Sequence, residues 1–529
     1  MDMSKILLAT ICNRNDTISE QAGIASIASV LRESGHTVKL TVVKEGYNDS
    51  DFIQLAYSNE YDFIGFNVYY HGVEFLKEII CKIKAICKNV KIVVGGYVAT
   101  YYDEELFEVC PEIDYIIRGE GELVFSQLVS SNDPSLVKGI SFQSDGKLTR
   151  TPACDFISDL DALPFIARDV MEEFQFTTAI MSTSRGCTRN CSFCSSPDFW
   201  RQRKVCWRGR SPENIADEIE LIVEKYNIHN FDFIDASFED PDKNCSRLLS
   251  ISNEFIKRQL KIVYTASIRV DSVLVLEKYF NILRESGLRN IFLGIESGNE
   301  DDLSLYNKRV TLQSAEKAIN LLKKYNFNVE IGFINFNPYS TFEKLRSNIQ
   351  FLHKYGYTSY LINTKRLRVY KGCGIAEKIL RDNLLAPDTG KFIYDYKFKD
   401  PRVGELYLAI SQFIQFDYRN YNFFTKYQNY SIYFFEYTEG LRETFPNSVD
   451  VITDCEEDVR KKLSIFSEIN YSWFVKMIDL GENGSSATEM MDYTLKHLYS
   501  KEAISTLSAI EEIERKLKKL EGSLRACKP

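Results

Sequence analysis

Histidine is scarce in this chain: five occur among 529 residues, none paired at metal-ligand spacing. A zinc or non-haem iron site built on imidazole is therefore not expected, and any metal site has to be thiolate based. Long apolar runs are missing as well. No stretch reaches the roughly 18 to 20 unbroken apolar residues of a membrane-spanning helix, and the opening MDMSKILLATICNRND turns polar too soon for a signal peptide. The chain is accordingly expected in the cytoplasm, with no membrane partner. It also lacks a basic stripe: formal net charge is -9 with acids and bases interspersed, which does not suit a nucleic-acid backbone as partner. Without an export signal the 13 cysteines are expected to be reduced, and Cys12, Cys81, Cys87, Cys110, Cys245 and Cys455 read as plain core or surface residues.

What is present is an ordinary globular composition, 44% apolar and 26% charged, in a chain long enough for about two to four domains. Residues 1–130 alternate apolar strands with amphipathic helices (KILLAT, IASIASVLRES, TVKLTVV, FIGFNVYY, FLKEIICKIKAI, KIVVGGY, DYIIRG, GELVFSQLV), which predicts an α/β, doubly wound, Rossmann-like parallel sheet. Residues 131–175 are irregular and read as a linker. A second alternating run over 176–387 (TTAIMSTSRG, NFDFIDAS, KIVYTASI, RNIFLGIES, NVEIGFINF, TSYLINTKRL) predicts a partial (β/α)6 barrel of six strands. Residues 388–529 read as a helical carboxyl-terminal domain. It contains the aromatic segment YLAISQFIQFDYRNYNFFTKY, expected to close the barrel mouth, and ends in a charged amphipathic helix.

The strongest local signal is SRGCTRNCSFCSSP, directly after the first strand of the second run. It puts Cys187, Cys191 and Cys194 within eight residues on one strand-end loop. Thiolates so spaced can converge on an iron–sulfur cube and leave one iron open; three incidental thiols, or zinc with a distant fourth ligand, are the alternatives that spacing leaves. The C-x3-C-x2-C pattern, with the aromatic Phe193 before its third cysteine, resembles the signature of the radical S-adenosylmethionine (SAM) superfamily. The resemblance implies a [4Fe-4S] cluster on the three cysteines. It also implies SAM chelated to the open iron and cleaved, on one-electron reduction by a donor such as flavodoxin or ferredoxin, to methionine and a 5'-deoxyadenosyl radical.

Further resemblances follow in chain order. WRGRSPENIADEIELI looks like the capped helix after the cluster loop, with Ser211 as N-cap and Pro212 at the first helical position. FDFIDASFEDP resembles a strand ending in acidic residues, which makes Asp235 a catalytic candidate and turns Glu239 toward the pocket. YTASIRVDS offers Ser267 and Arg269 for SAM, and LGIESGNED offers Glu296 and Ser297. GFINFNPYST departs from the family's Gly-Pro-Gly segment, and RLRVYKGCG places Cys373 where Gly-Thr is common. Cys373 is thereby a second catalytic candidate, a cluster-side or radical-bearing thiol.

The segment IVVGGYVATYYDEELFEVCPEIDYIIRGEGELVFSQLV resembles the second half of the cobalamin-binding domains that precede the barrel in many radical SAM enzymes. Gly95 and Gly96 leave a strand end bare, which permits close approach of a large planar ligand. With Asn67 and Tyr70 from FNVYY, Tyr97, and the second turn at Gly119 and Glu120, they compose the expected cobalamin cradle. Tyr97 and Val98 replace the family's frequent Pro-His, the Asp-x-His-x-x-Gly motif is missing, and His71 is the only histidine near the right edge.

The resemblance implies cobalamin-dependent methylation of an unactivated carbon in a small-molecule, natural-product or peptide substrate. The alternative is a non-methylating radical SAM oxidoreductase, cyclase or rearrangement enzyme. RNA methylthiotransferases of the superfamily carry three further cluster cysteines in their first domain and a basic carboxyl-terminal module, and this chain has neither arrangement.

Overall fold

The computed structural model describes residues 3–526 except 15, 145, 202–205, 388–390, 421–433, 436, 439, 440, 443 and 444. The first unit is a sheet built on β1 (Lys5–Cys12), β2 (Thr37–Lys44), β3 (Phe63–Asn67), β4 (Lys91–Gly95), β5 (Tyr115–Ile117), β6 (Ile140–Ser144) and β7 (Lys147–Arg150). Its strand order is β2-β1-β3-β4-β5-β6-β7; β1 to β5 are parallel, and β6 and β7 are added antiparallel. The near-continuous apolar run KILLATIC suits a strand covered on both faces. Leu7, Ala9 and Ile11 enter one core, with Leu76, Ile79 and Ile83, while Ile6 and Leu8 enter the other, with Ala25, Ala28 and Leu31. The helices after β1 and β3 therefore lie on opposite faces, and the strand order reverses between them. That is the place where a doubly wound sheet opens a ligand crevice beyond its carboxyl ends. The stretch 131–175 is more than a connection, because it supplies β6 and β7 to this sheet.

The second unit begins with β8 (Thr178–Met181), followed by a two-stranded antiparallel pair, β9 (Ser184–Gly186) and β10 (Trp207–Gly209). β11 (Asn230–Phe233), β12 (Val263–Arg269), β13 (Leu288–Glu296) and β14 (Asn328–Phe333) join β8 in a parallel sheet of order β14-β13-β12-β11-β8. Five of the six expected barrel strands form. The sixth position, over 358–367, holds the helix Tyr360–Thr364 and a single parallel bridge from Phe336 to Arg366. Tyr360 packs into the core of the helical domain, and the resulting turn withdraws this segment from the sheet. Ser211 caps the helix Pro212–Tyr226, accepting from the Asn214 N–H at 3.2 Å, with proline at the first position as expected.

The helices Pro401–Asn420, Val449–Glu482, Ala487–Leu498 and Lys501–Ala526 pack around the buried Trp473. This core continues into Phe342, Leu345 and Ile349 of the barrel helix Phe342–Lys354, and Arg346 adds an ion pair to Asp479 at 2.7 Å. The domain thus sits on the flank of the barrel beside β14. The 421–427 part of the aromatic segment, and 527–529 of the last helix, lie outside the described residues. Among the described residues no helix is long and apolar enough to cross a membrane.

Candidate active site at the domain junction

Gly186 ends β9 with a φ of +101°, and a Cβ there would stand 2.1 Å from the Cys206 carbonyl oxygen, so glycine is what lets β9 lie against β10. The loop it launches is pinned along its length. The Cys187 N–H donates to the Cys206 carbonyl at 2.9 Å, and Thr188 donates to Asp240 from both N (3.0 Å) and Oγ1 (2.8 Å). Arg189 pairs with Asp271, and Ser192 donates to the carbonyls of Tyr306 (2.9 Å) and Leu305 (2.7 Å). Burial pushes the Cys187 thiol up to about 11 and raises Cys191 and Cys194 as well. Cys191 is near enough to both others for its charge to raise them further, while Lys308 and Arg269 act in the opposite direction. Three half-buried thiols on one pinned loop beside two cations suit an anionic iron–sulfur cube, which deprotonates its ligands. Among the described residues no three His, Cys, Asp or Glu side chains are gathered tightly enough for a single metal ion. A cube takes each thiolate on a different iron.

The expected residues at the barrel strand ends fall into two groups. Arg269 faces the mouth of the barrel, its Nη1 donating to Ser237 Oγ at 2.6 Å and Asp240 at 2.5 Å and its Nε 3.3 Å from Glu239. Glu296 has a φ of +77°, a left-handed backbone uncommon for a side chain larger than glycine's. It meets Lys308 Nζ at 2.8 Å. Burial alone would lower Lys308, but Glu296 and the cluster thiols hold its ammonium above the ordinary lysine range. Ser267 stands one inward position below Arg269 on β12, and Phe193 packs edge-on against Tyr306 at 5.5 Å.

Three other expectations need correction. Asp235 is buried and accepts from Thr183 N (3.1 Å) and Oγ1 (3.0 Å) and from the Ser184 hydroxyl, so its carboxylate ties the end of β11 to the β8–β9 turn. Ser297 is wholly buried and donates to Asn348 Oδ1 of the helix Phe342–Lys354 at 3.0 Å, so its hydroxyl ties the end of β13 to that helix. The buried Cys373 thiol donates to the Phe193 carbonyl at 3.2 Å, which makes it a brace of the cluster loop.

Where the first sheet's carboxyl edge faces the barrel there is a cavity of about 470 Å3. Asn67, Gly95, Gly96, Tyr97 and Gly119 line it from one side, and Ser184, Gly186, Ser196, Ile234 and Ala236 from the other. A Cβ at Gly95 would meet nothing within 4 Å and would project into this space, whereas one at Gly96 would stand 2.5 Å from Asn67 Oδ1. The bare strand end thus fits a broad, flat ligand. Tyr70 does not reach the cavity: it stacks on Tyr370 at 4.2 Å, and its neighbour Tyr69 takes the lining position. A one-turn helix starts at Tyr70, so strand alternation no longer decides which tyrosine faces in. His71 lies off the cavity, 3.2 Å from Asp16.

Glu120 lines the cavity but is spent on closing it. Its carboxylate takes Arg185 of β9 at 2.6 Å, Arg208 of β10 at 2.9 Å and the Ile157 N–H at 2.7 Å, and Arg185 also pairs with Glu122 at 2.5 Å. Burial alone would raise its carboxyl, but the Arg208 and Arg185 guanidiniums hold it below the ordinary carboxylate range. Arg185, Phe199 and Trp200, which complete the wall, do not stand out in the sequence. The only signal for Arg185 is its place in the SRG that precedes Cys187.

Residues 11–129 match the family model of the B12 binding domain, and residues 181–352 match that of the Radical SAM superfamily. An uncharacterized methyltransferase of Pyrococcus horikoshii is 29% identical over 381 residues, 70% of this chain and 80% of that protein. An anaerobic magnesium-protoporphyrin IX monomethyl ester cyclase of Rubrivivax gelatinosus is 28% identical over 329 residues, 59% of this chain and 58% of the cyclase. Among solved structures, the cobalamin-dependent S-adenosylmethionine radical enzyme OxsB, with aqua-cobalamin and S-adenosylmethionine bound, shares the fold. Its TM-score is 0.70 at 19% identity, over 97% of this chain and 84% of that one.

Proposed function

Since the chain belongs to the radical SAM enzymes that carry an amino-terminal cobalamin-binding domain, we propose that it is a cobalamin-dependent methyltransferase acting on an unactivated carbon of a natural-product or peptide substrate. One observation carries the reading: a single cavity is lined by the bare glycine edge of the first domain and by Gly186 and Ser196, the residues that flank the cluster loop of the second. When bound, the cluster and SAM supply one-electron radical chemistry, and cobalamin supplies a methyl carrier.

The protein's own part is to hold, orient and keep dry. Cys187, Cys191 and Cys194 hold the cluster. Arg269 and the Glu296–Lys308 pair stand at neighbouring strand ends with charges suited to the carboxylate and amino group of SAM. Asn67, Gly95, Gly96, Tyr97 and Gly119 form the corrin cradle, and Phe199, Trp200 and Phe165 keep water from the wall. Asp240 organises the site indirectly, holding Thr188 of the cluster loop and Arg269 together. An electron donor such as flavodoxin or ferredoxin would reduce the cluster.

The test is an anaerobic assay of the reconstituted protein with SAM and a reductant. Methyl transfer yields S-adenosylhomocysteine together with 5'-deoxyadenosine. The cyclase relative favours a second reading, hydrogen abstraction without methylation, and 5'-deoxyadenosine alone would select it.

A further inference from the structure

The inside of the barrel is polar where packed barrels are filled with branched apolar side chains. Strand alternation fixes what faces inward. Phe231 and Phe233 of β11, Ala266 and Ile268 of β12, Ile291 and Leu293 of β13, and Ile331 and Phe333 of β14 all enter the core beneath the outer helices. Their neighbours Asp232, Thr265, Asn290, Phe292 and Glu330 therefore point into the lumen.

Register stacks them in layers. Asp232 is level with Thr265, which is level with Asn290, and the Asn290 side chain donates to Thr265 Oγ1 at 3.2 Å. One layer nearer the mouth, Ser267, Phe292 and Glu330 are level with one another. Above Phe292 and Glu330 come Gly294 and Gly332, whose missing side chains make room for the side chains of Glu296, Lys308 and Phe292. The lumen also continues into the shared cavity, because Ile234, the next inward residue after Asp232, is 46% exposed and lines that cavity.

The charges in this shaft are unspent. Among the described residues neither Asp232 nor Glu330 makes a hydrogen bond or an ion pair. Loss of surrounding water raises both carboxyls, although Glu330, on the edge strand β14, keeps an exposed side chain; for Glu330 the charge of Lys365 opposes the rise and that of Asp232 adds to it. Lys365 enters from the segment in the sixth strand's place, its carbonyl accepting from the N–H groups of Asn335 and Phe336. Two residues earlier the wholly buried Asn363 has neither end of its side-chain amide bonded. Two carboxylates against one ammonium leave a net negative charge beside an aromatic ring, a combination that attracts a nitrogen cation.

We propose that Asp232, Glu330 and Phe292 form the seat of a positively charged nitrogen, an ammonium or guanidinium, on the substrate. The proposal rests on the preceding reading for the substrate's entry into the barrel, and it narrows the substrate class to cationic amines and amine-bearing peptides. Lys365, whose charge acts on Glu330 without forming an ion pair, is the ammonium with which such a cation competes.

Benzylamine and benzyl alcohol, alike in shape and different in charge at neutral pH, serve as probes on the cluster- and cobalamin-loaded protein with SAM present. Saturation-transfer NMR reads their binding. Benzylamine should bind saturably and benzyl alcohol should not. Glu330→Gln should weaken benzylamine about tenfold, the size of one charge-assisted hydrogen bond, and Lys365→Ala, which frees Glu330 from its competitor, should tighten it several-fold. Equal binding of the two probes, no binding of either, or indifference of benzylamine to both substitutions would overturn the proposal. Iron and cobalamin contents of the same samples separate the two readings: a seat that binds benzylamine in protein that takes up no cobalamin leaves this inference standing and removes the methyltransferase reading.

Discussion

At the scale of single residues, the three cluster cysteines differ from the other thiols by where their loop puts them. Cys187→Ala, Cys191→Ala and Cys194→Ala should each abolish stable iron binding after reconstitution. Cys373→Ala, which removes a thiol spent on the Phe193 carbonyl, should keep its iron; an iron assay on the four variants checks this. Glu120 provides a pH test. Its folded pKa is depressed, so the stability it contributes is full above the ordinary glutamate value of 4.5 and is lost as pH falls through the lower folded value. Glu120→Gln should destabilise the protein by about 3 kcal/mol at neutral pH, because two guanidiniums lose a buried partner. The variant should also lose part of the wild-type slope of stability against pH below 4.5, as measured by urea denaturation. The cysteines are legible because their spacing is local. The tasks of Glu120 and Ser297 are not, because their partners, Arg185, Arg208 and Asn348, come from 50 or more residues away in the chain.

At the scale of elements, two glycines that look alike in sequence have opposite tasks. Gly186→Ala puts a Cβ against the Cys206 carbonyl in a left-handed backbone, and it should break the β9–β10 pair and lower iron content. A Cβ at Gly95 meets no neighbour, so the Gly95→Val protein should fold and keep its iron while cobalamin uptake falls. Absorption spectra and iron assays of the two proteins separate these outcomes. The strand pattern is readable wherever apolar alternation persists: β1, with both faces buried, and β12, with Tyr264, Ala266 and Ile268 on one face, follow from the letters alone. It fails at TSYLINTKRL, where Tyr360 is claimed by the helical domain and the segment turns helical. Local propensity gives way there to packing against residues more than 40 positions further along the chain.

At the scale of the whole molecule, the two alternating runs can be read as separate units, but their closure on one cavity cannot. It depends on Arg185, Arg208, Glu120 and Glu122, charged residues whose pairing no periodicity reveals. The helical domain shows the same limit. Its aromatic sequence suggests a cap on the barrel mouth, yet none of its described residues lines the cavity, and its core anchors on Phe342, Leu345 and Ile349 at the barrel's flank. The central claim for the assembled molecule is that one space serves both the cluster and a corrin. The most direct test is anaerobic reconstitution with iron, sulfide and hydroxocobalamin, followed by desalting and quantitation of both. About four irons and about one cobalamin per chain are predicted. A full iron complement with no retained cobalamin would contradict the account.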